Sequence, residues 1–347
     1  MTETATRPIN TDKPHEFKAH RFCTAPLMDW SDRHCRYFWR TLSQNAFVYS
    51  EMVTTGAIIH GKGGPERFLG YNQEEHPVAL QLGGSKPSEL AQCSKIAQSY
   101  GYDEVNLNAG CPSDRVQNNM IGACLMGHAP LVADCIKAMQ DAVEIPVTIK
   151  HRIGIDDQDS YQELVDFVGT VAATGCNTFI VHARKAILQG LSPKQNREIP
   201  PLKYDVVKKI KQDFPQLEIV LNGGLETIEQ MHDVLDYTDG VMVGRAAYHN
   251  PALLLDVDHE FYGQAKNVID RKQVVRNMYP YIENHLSQDG KLAYITRHML
   301  GLFNGLAGSR QFRRHLSEEA YKKTATIDVL ETALAFMPDQ IDELTPA

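Results

Sequence analysis

The chain has 347 residues, 43% hydrophobic and 22% charged, with a formal net charge of -8, an ordinary composition for a globular protein. No apolar run approaches the roughly 20 residues that span a bilayer. The seven cysteines are irregularly spaced and form no C-x-x-C pair, which argues against a disulfide framework and against a zinc site.

Residues 1–18 are polar, lack the apolar core of a signal peptide and read as a flexible arm. Together with the free cysteines this predicts a cytoplasmic protein. Eight short apolar runs follow, at 21–27, 47–51, 77–82, 103–108, 146–152, 177–183, 217–222 and 239–244. Each suits a strand buried on both faces. Helix-like stretches lie between most of them. One at 31–44 has Ser31 placed as its N-cap. One at 86–101 opens on Pro87 and closes on Gly101. Others lie at 129–143, 161–175, 204–214 and 227–237. Strand and helix alternate through about 230 residues, which predicts a parallel sheet. Eight units favour a closed (β/α)8 TIM barrel over residues 19–255. An open doubly wound sheet is the alternative, but the glycine fingerprint of a dinucleotide fold is missing after the first run.

From about 256 to 347 the strand signal is absent, and a small all-helical C-terminal domain is expected. Its helices read at 271–288, 292–306, 309–323 and 326–336, with Tyr294, His298 and Leu302 beside Ile295 and Met299 as an apolar stripe. Residues 266–323 hold 11 Lys/Arg against five Asp/Glu. The overall acidic balance argues against a nucleic-acid partner, but this local basic zone would suit one gripped at a single place. A normally charged helical surface is the plain alternative.

In a parallel barrel the chemistry sits at the C-terminal ends of the strands. Here those ends carry Pro26-Leu27-Met28, Glu51, Gln81, Asn108, Lys150, His182, Asn222-Gly223-Gly224 and Gly244-Arg245. The last two groups follow strands seven and eight, where barrels bind phosphate through backbone N–H groups, and Arg245 adds a charged fork. Lys150 closes an apolar run. It suits either a Schiff base or a fixed positive charge near a developing anion. The loop after strand four, Asn108-Ala109-Gly110-Cys111-Pro112-Ser113, is the most distinctive. Pro112 disfavours the helical region for Cys111, and Gly110 frees the backbone before it. A free thiol titrates at roughly 8.5, so at neutral pH it is mostly protonated and suits a proton donor. Cys23, Cys35, Cys93, Cys124, Cys135 and Cys176 read as small buried hydrophobes.

The motifs A-P-L-M-D, L-N-A-G-C-P-S, V-T-I-K-H-R, H-A-R-K, L-N-G-G and V-G-R resemble those of the tRNA-dihydrouridine synthases. The similarity runs from about residue 20 to about 320. Two long stretches, 110–126 and 182–202, resemble the A-type branch. Small departures are Ala109 where many relatives have valine, and A-P-L-M for A-P-M-M. The resemblance implies FMN as cofactor, NADPH as reductant, and uridines 20 and 20a of the tRNA D-loop as substrate. It implies that Pro26, Leu27, Met28, Gln81, Lys150, His182, Asn222, Gly223, Gly224, Gly244 and Arg245 hold FMN. Asn108 would touch the substrate nucleotide, and Lys194, Arg197, Arg310 and Arg313 would contact tRNA. Uridine would enter flipped out of its stack, receive hydride at C6 and take a proton at C5 from Cys111. No metal and no membrane are expected, and a monomer is the expected state. Rival readings are a Schiff-base lyase using Lys150, a flavin barrel reducing a free pyrimidine, and a non-catalytic RNA-binding module.

Overall fold

The computed structural model describes residues 18–113, 120–266 and 268–338. The expected arm falls almost wholly outside the described residues, as does the 114–119 part of the 110–126 stretch. Eight strands are described: β1 (Phe22–Thr24), β2 (Val48–Thr54), β3 (Val78–Gly83), β4 (Glu104–Ala109), β5 (Val147–Arg152), β6 (Thr178–His182), β7 (Glu218–Asn222) and β8 (Gly240–Val243). They form one sheet in the order β1-β8-β7-β6-β5-β4-β3-β2, every pairing parallel. A Cys23–Phe47 bridge joins the two edges and closes the barrel. The closed barrel expected from eight alternating units is therefore the observed architecture, and the open sheet is not.

Helices α1 (Arg33–Leu42), α2 (Thr55–His60), α3 (Glu66–Leu69), α4 (Pro87–Tyr100), α5 (Ala129–Gln140), α6 (Tyr161–Ala172), α7 (Tyr204–Asp213), α8 (Ile228–Leu235) and α9 (Arg245–His249) follow the strands. One face of each strand meets them. Val105, Leu107, Val147, Ile149, Val181 and Ile219 are buried in that layer, each contributing about 1.5–3 kcal/mol of apolar burial. The other face fills the barrel with Cys23, Phe47, Tyr49, Ala79, Ile180, Val220 and Met242. Polar side chains share that interior, which is unusual where branched aliphatics dominate. Beyond α9 every described element is helical: a 3₁₀ segment (Pro251–Asp256), then α10 (Val257–Tyr262), α11 (Arg271–Asn277), α12 (Tyr279–Ser287), α13 (Leu292–Thr296), α14 (Ser309–Glu319) and α15 (Asp328–Leu334).

Several expectations need correction. The N-cap of α1 is Asp32, not Ser31. A carboxylate oxygen of Asp32 accepts from the N–H groups of His34 (2.9 Å) and Cys35 (3.0 Å), a favourable placement of negative charge. The Ser31 hydroxyl pairs with the main chain of Leu27 instead. Strand β2 runs on to Thr54, so Glu51 lies inside it beside a register shift and not at its end. The 271–288 helix is broken at Met278 because Pro280 cannot donate within a continuous helix. The 292–306 helix stops at Thr296. Further along the chain, Gly301 passes so close to the His249 carbonyl that a Cβ would lie 2.2 Å from its oxygen. Tyr294 is 49% exposed, while Ile295, His298, Met299 and Leu302 are buried. Cys124 is half-buried rather than part of the core.

Candidate active site

Alternation along β4 turns Glu104, Asn106 and Asn108 into the barrel, and along β5 it does the same for Thr148, Lys150 and Arg152. Their side chains interlock. The Gln81 amide donates to Asn106 Oδ1 (2.8 Å) and accepts from Asn108 Nδ2 (2.7 Å). Asn106 donates to the Thr148 hydroxyl (2.8 Å), which donates to Glu104 (2.6 Å). At the barrel floor Glu104 also meets Tyr49 Oη (2.6 Å) and His20 Nε2 (2.6 Å), and His20 Nδ1 lies 2.9 Å from Glu218. Gln81 and Asn106 are fully buried, so their amides can be turned only at the cost of unpaired polar groups.

Asn108 also builds the turn that carries Cys111. Its Oδ1 accepts from the N–H groups of Gly110 (3.0 Å) and Cys111 (2.9 Å). The Cys111 carbonyl accepts from Ala123 N (2.8 Å). Five of the other six cysteines are buried, and Cys124 hydrogen-bonds the Ile121 carbonyl at 3.4 Å.

Lys150 Nζ donates to Asn222 Oδ1 (2.9 Å), and Asn222 donates to the Met242 carbonyl (2.8 Å). Burial, then the charge of Arg152, lowers the Lys150 amine to about 7. His182 pairs in register with Arg152. Burial and four surrounding cations, Arg152, Lys150, Arg184 and Arg197, hold its ring well below the usual range, hence neutral at pH 7. Gly223 and Gly224 turn with φ of +118° and +70°, and a Cβ on Gly223 would stand 2.7 Å from His182 Cδ2. Only glycine suits that position.

Next to this turn, Gly244 caps α9 and Arg245 begins it. Among the described residues the N–H groups of Gly223, Gly224, Gly244 and Arg245 have no protein acceptor. Burial, then the charge of Arg245, lowers the pKa values of Arg184 and Arg197, and Glu198 is the acid bonded to Arg245, at 3.3 Å. Free main-chain donors beside clustered guanidinium groups form the donor set a phosphate monoester needs. The turn at Pro26, Leu27 and Met28 borders the same cap: Ala25 Cβ and Leu27 Cδ2 lie 3.5 and 3.6 Å from where a Gly244 Cβ would be. Met28 is 56% exposed there.

The barrel mouth thus gathers Gln81, Asn108, Cys111, Lys150, His182, Asn222, Gly223, Gly224, Gly244 and Arg245, with Pro26 to Met28 at the rim. The charge of Arg197 helps to lower the His182 ring, and Arg197 itself feels Cys111. Lys194 is exposed in the same segment. Arg310 and Arg313 stand apart on α14. Arg313 Nη1 donates to Asn304 Oδ1 (2.5 Å), and Asn304 in turn donates to the His249 carbonyl at the end of α9 (2.5 Å). Sequence reasoning missed Arg152, Asn106, Arg184 and Asn196. The first two were within reach, since they share the period-two face of Lys150 and Asn108. A cleft of about 250 Å3 between α5 and α6, lined by residues such as Pro130, Gly154, Glu163 and Phe167, contains none of the strand-end residues.

The dihydrouridine synthase family profile matches residues 23–337. The chain is 59% identical to the tRNA-dihydrouridine(20/20a) synthase of Escherichia coli strain K12, over 98% of this chain and 97% of the relative. It is 56% identical to the protein of that name from Pseudomonas aeruginosa, over 95% and 99%. Among solved structures it is similar in fold to the old yellow enzyme homologue of Zymomonas mobilis. The TM-score is 0.50 at 14% identity, over 72% of this chain and 91% of that one.

Proposed function

The chain belongs to the dihydrouridine synthase family, and from that premise we propose that it reduces uridines 20 and 20a of tRNA with FMN as cofactor and NADPH as reductant. It is a flavin-dependent oxidoreductase and tRNA is its substrate. Lyase chemistry at Lys150 and a purely RNA-binding role do not belong to this family. One observation carries the residue assignment: Cys111 stands on a strand-end turn whose two N–H groups are fixed by Asn108, beside Lys150 and a neutral His182.

The residues present fit FMN. The free N–H groups of Gly223, Gly224, Gly244 and Arg245, with the Arg245 guanidinium, would take the phosphate. Gln81, Lys150, His182, Asn222 and the turn at Pro26, Leu27 and Met28 would border the ring system. Bound there, the flavin supplies hydride to C6 of the uracil.

The protein's own part is to hold the base, exclude water and move one proton. A uridine must leave its stack to enter the barrel mouth, where Asn108 would meet its edge. As the C6–H bond forms, the C5–C6 π electrons collect at C5 and the adjoining carbonyl. The Cys111 Sγ–H then transfers its proton to C5, leaving a thiolate. Lys150, whose amine feels this thiol, stabilises in its protonated form both the transient carbanion and the thiolate. Lys194, Arg197, Arg310 and Arg313 would hold the phosphate backbone, with affinity that falls as salt rises.

The test is Cys111→Ala. Flavin content and NADPH oxidation are expected to persist while dihydrouridine formation in tRNA collapses. Normal product from this variant would show that another group, or water, delivers the proton.

A further inference from the structure

We infer that Arg152 is a positioning residue that couples the RNA-facing segment around Asn196 to the peptide that aims Cys111. The inference rests on the assignment of Cys111 as proton donor and of Lys194 and Arg197 as RNA contacts.

Arg152 is 2% exposed, and among the described residues its hydrogen-bond partners are main-chain carbonyls, with no carboxylate. Nε donates to Gly110 O (2.9 Å), and Nη1 donates to Lys185 O (3.0 Å) and Asn196 O (3.1 Å). Burial lowers the guanidinium to about 10, so it remains a cation at neutral pH. A buried charge is costly, and three carbonyl dipoles from three separate segments offset part of that cost.

The Gly110 carbonyl and the Cys111 N–H belong to one peptide unit. Arg152 holds its oxygen, and Asn108 holds its N–H at 2.9 Å. A glycine–cysteine peptide would otherwise rotate with little resistance, since Gly110 offers no Cβ to oppose it. Clamping both ends of the peptide plane fixes the direction of the Cys111 side chain. The other arm of Arg152 ends on Asn196, a fully buried residue. Asn196 Oδ1 accepts from Ile187 N (2.8 Å), and its Nδ2 donates to the carbonyls of Ile187 (2.9 Å) and Leu191 (3.2 Å). It therefore pins the loop that displays Lys194 on one side and Arg197 on the other. Displacement of that loop moves the Asn196 carbonyl, and Arg152 transmits the movement to Gly110.

Arg40 supplies the contrast. It also clamps carbonyls, those of Ser43, Ala46 and Glu75, but none adjoins a site residue, so its clamp serves stability alone. The two roles separate experimentally.

The flavin-loaded enzyme, with unmodified tRNA transcript, is compared with Arg152→Lys, which keeps the charge but not the fork. Flavin content and NADPH-driven flavin reduction are expected to stay near wild type. Reoxidation of the reduced enzyme by tRNA is expected to slow on the order of 100-fold, the loss a misplaced reacting group produces. In hydrogen exchange, tRNA is expected to protect the segment 108–113 in the wild type but not in Arg152→Lys at saturating tRNA. Asn196→Ala is a second route that leaves Arg152 in place, and it should abolish the same protection. Wild-type reoxidation per flavin-loaded molecule, or retained tRNA protection of 108–113 in both variants, would overturn the coupling and reduce Arg152 to a clamp like Arg40. Normal product from Cys111→Ala would instead remove the donor assignment, and the exchange result would still decide the coupling.

Discussion

The floor of the barrel makes a quantitative prediction about stability and pH. His20 lies between two carboxylates, 2.6 Å from Glu104 and 2.9 Å from Glu218. Burial alone would drive its ring toward the neutral form, but the charges and hydrogen bonds of Glu104 and then Glu218 outweigh it and raise the pKa to about 10. Glu218, although largely buried, is held below its ordinary range by His20. In the unfolded chain the ring titrates near 6.5. Between these two pH values the folded protein binds one proton that the unfolded chain lacks. The stabilisation is therefore complete below about 6.5 and is lost as pH rises through about 10, with a slope of about 1.4 kcal/mol per pH unit. From pH 7 to 9 the wild type should lose on the order of 2–3 kcal/mol through this group. His20→Gln has no such titration. It also leaves buried carboxylates without their cation, a cost of about 3–5 kcal/mol at pH 7. Urea unfolding followed by far-UV circular dichroism, with both proteins saturated in flavin, gives the difference at each pH. That difference should be large at pH 7 and should shrink by on the order of 2–3 kcal/mol by pH 9. A gap that stays constant across the range would mean that the ring is not protonated in the fold, and the charge assignment would fail.

Three further outcomes are expected. Gly223→Ala places a Cβ 2.7 Å from His182 Cδ2 at φ +118°, so the purified protein should lose most of its bound flavin, read as visible absorbance per chain; full flavin content would refute the cradle. Asn108→Ala frees the N–H groups of Gly110 and Cys111 and should lower kcat for dihydrouridine formation roughly 10- to 100-fold. Asn108→Asp keeps that acceptor and should lose less, so equal losses in the two variants would argue against the turn as the cause. Arg310→Ala combined with Arg313→Ala should weaken tRNA binding and flatten the slope of log affinity against log salt by about 1.5. An unchanged slope in filter binding would move the RNA grip elsewhere.

Much of the fold was legible because strands buried on both faces announce themselves as short apolar runs. The eight runs match the eight strands within three residues at every end. The helices beyond Asp256 were less legible for a local reason. Apolar spacing persists through Met278 and past Thr296, yet Pro280 breaks the first helix and the second ends at Thr296. The misplaced N-cap has the same character: Ser31 and Asp32 both suit the position, and only the bonds of Ser31 to Leu27 decide between them.

The strand-end side chains of the site were legible because their chemistry is written in their identity. Arg152 was not, because its partners are main-chain carbonyls 42, 33 and 44 residues away, and a carbonyl carries no residue name. The same limit hid the relation between the two ends of the barrel. Glu104, Asn106 and Asn108 are successive inward residues of one strand, so a single column of polar groups joins the His20 floor to the Cys111 turn through Thr148 and Gln81. Every amide in that column has its donors and acceptors assigned by its neighbours. Reversing one would leave two others mispaired in a dry interior. The column therefore does more than fill space that aliphatic side chains could fill: it fixes which face of the Gln81 amide and which oxygen of Asn108 meet the mouth. The orientation of the groups around the reacting base is set, residue by residue, from the floor upward.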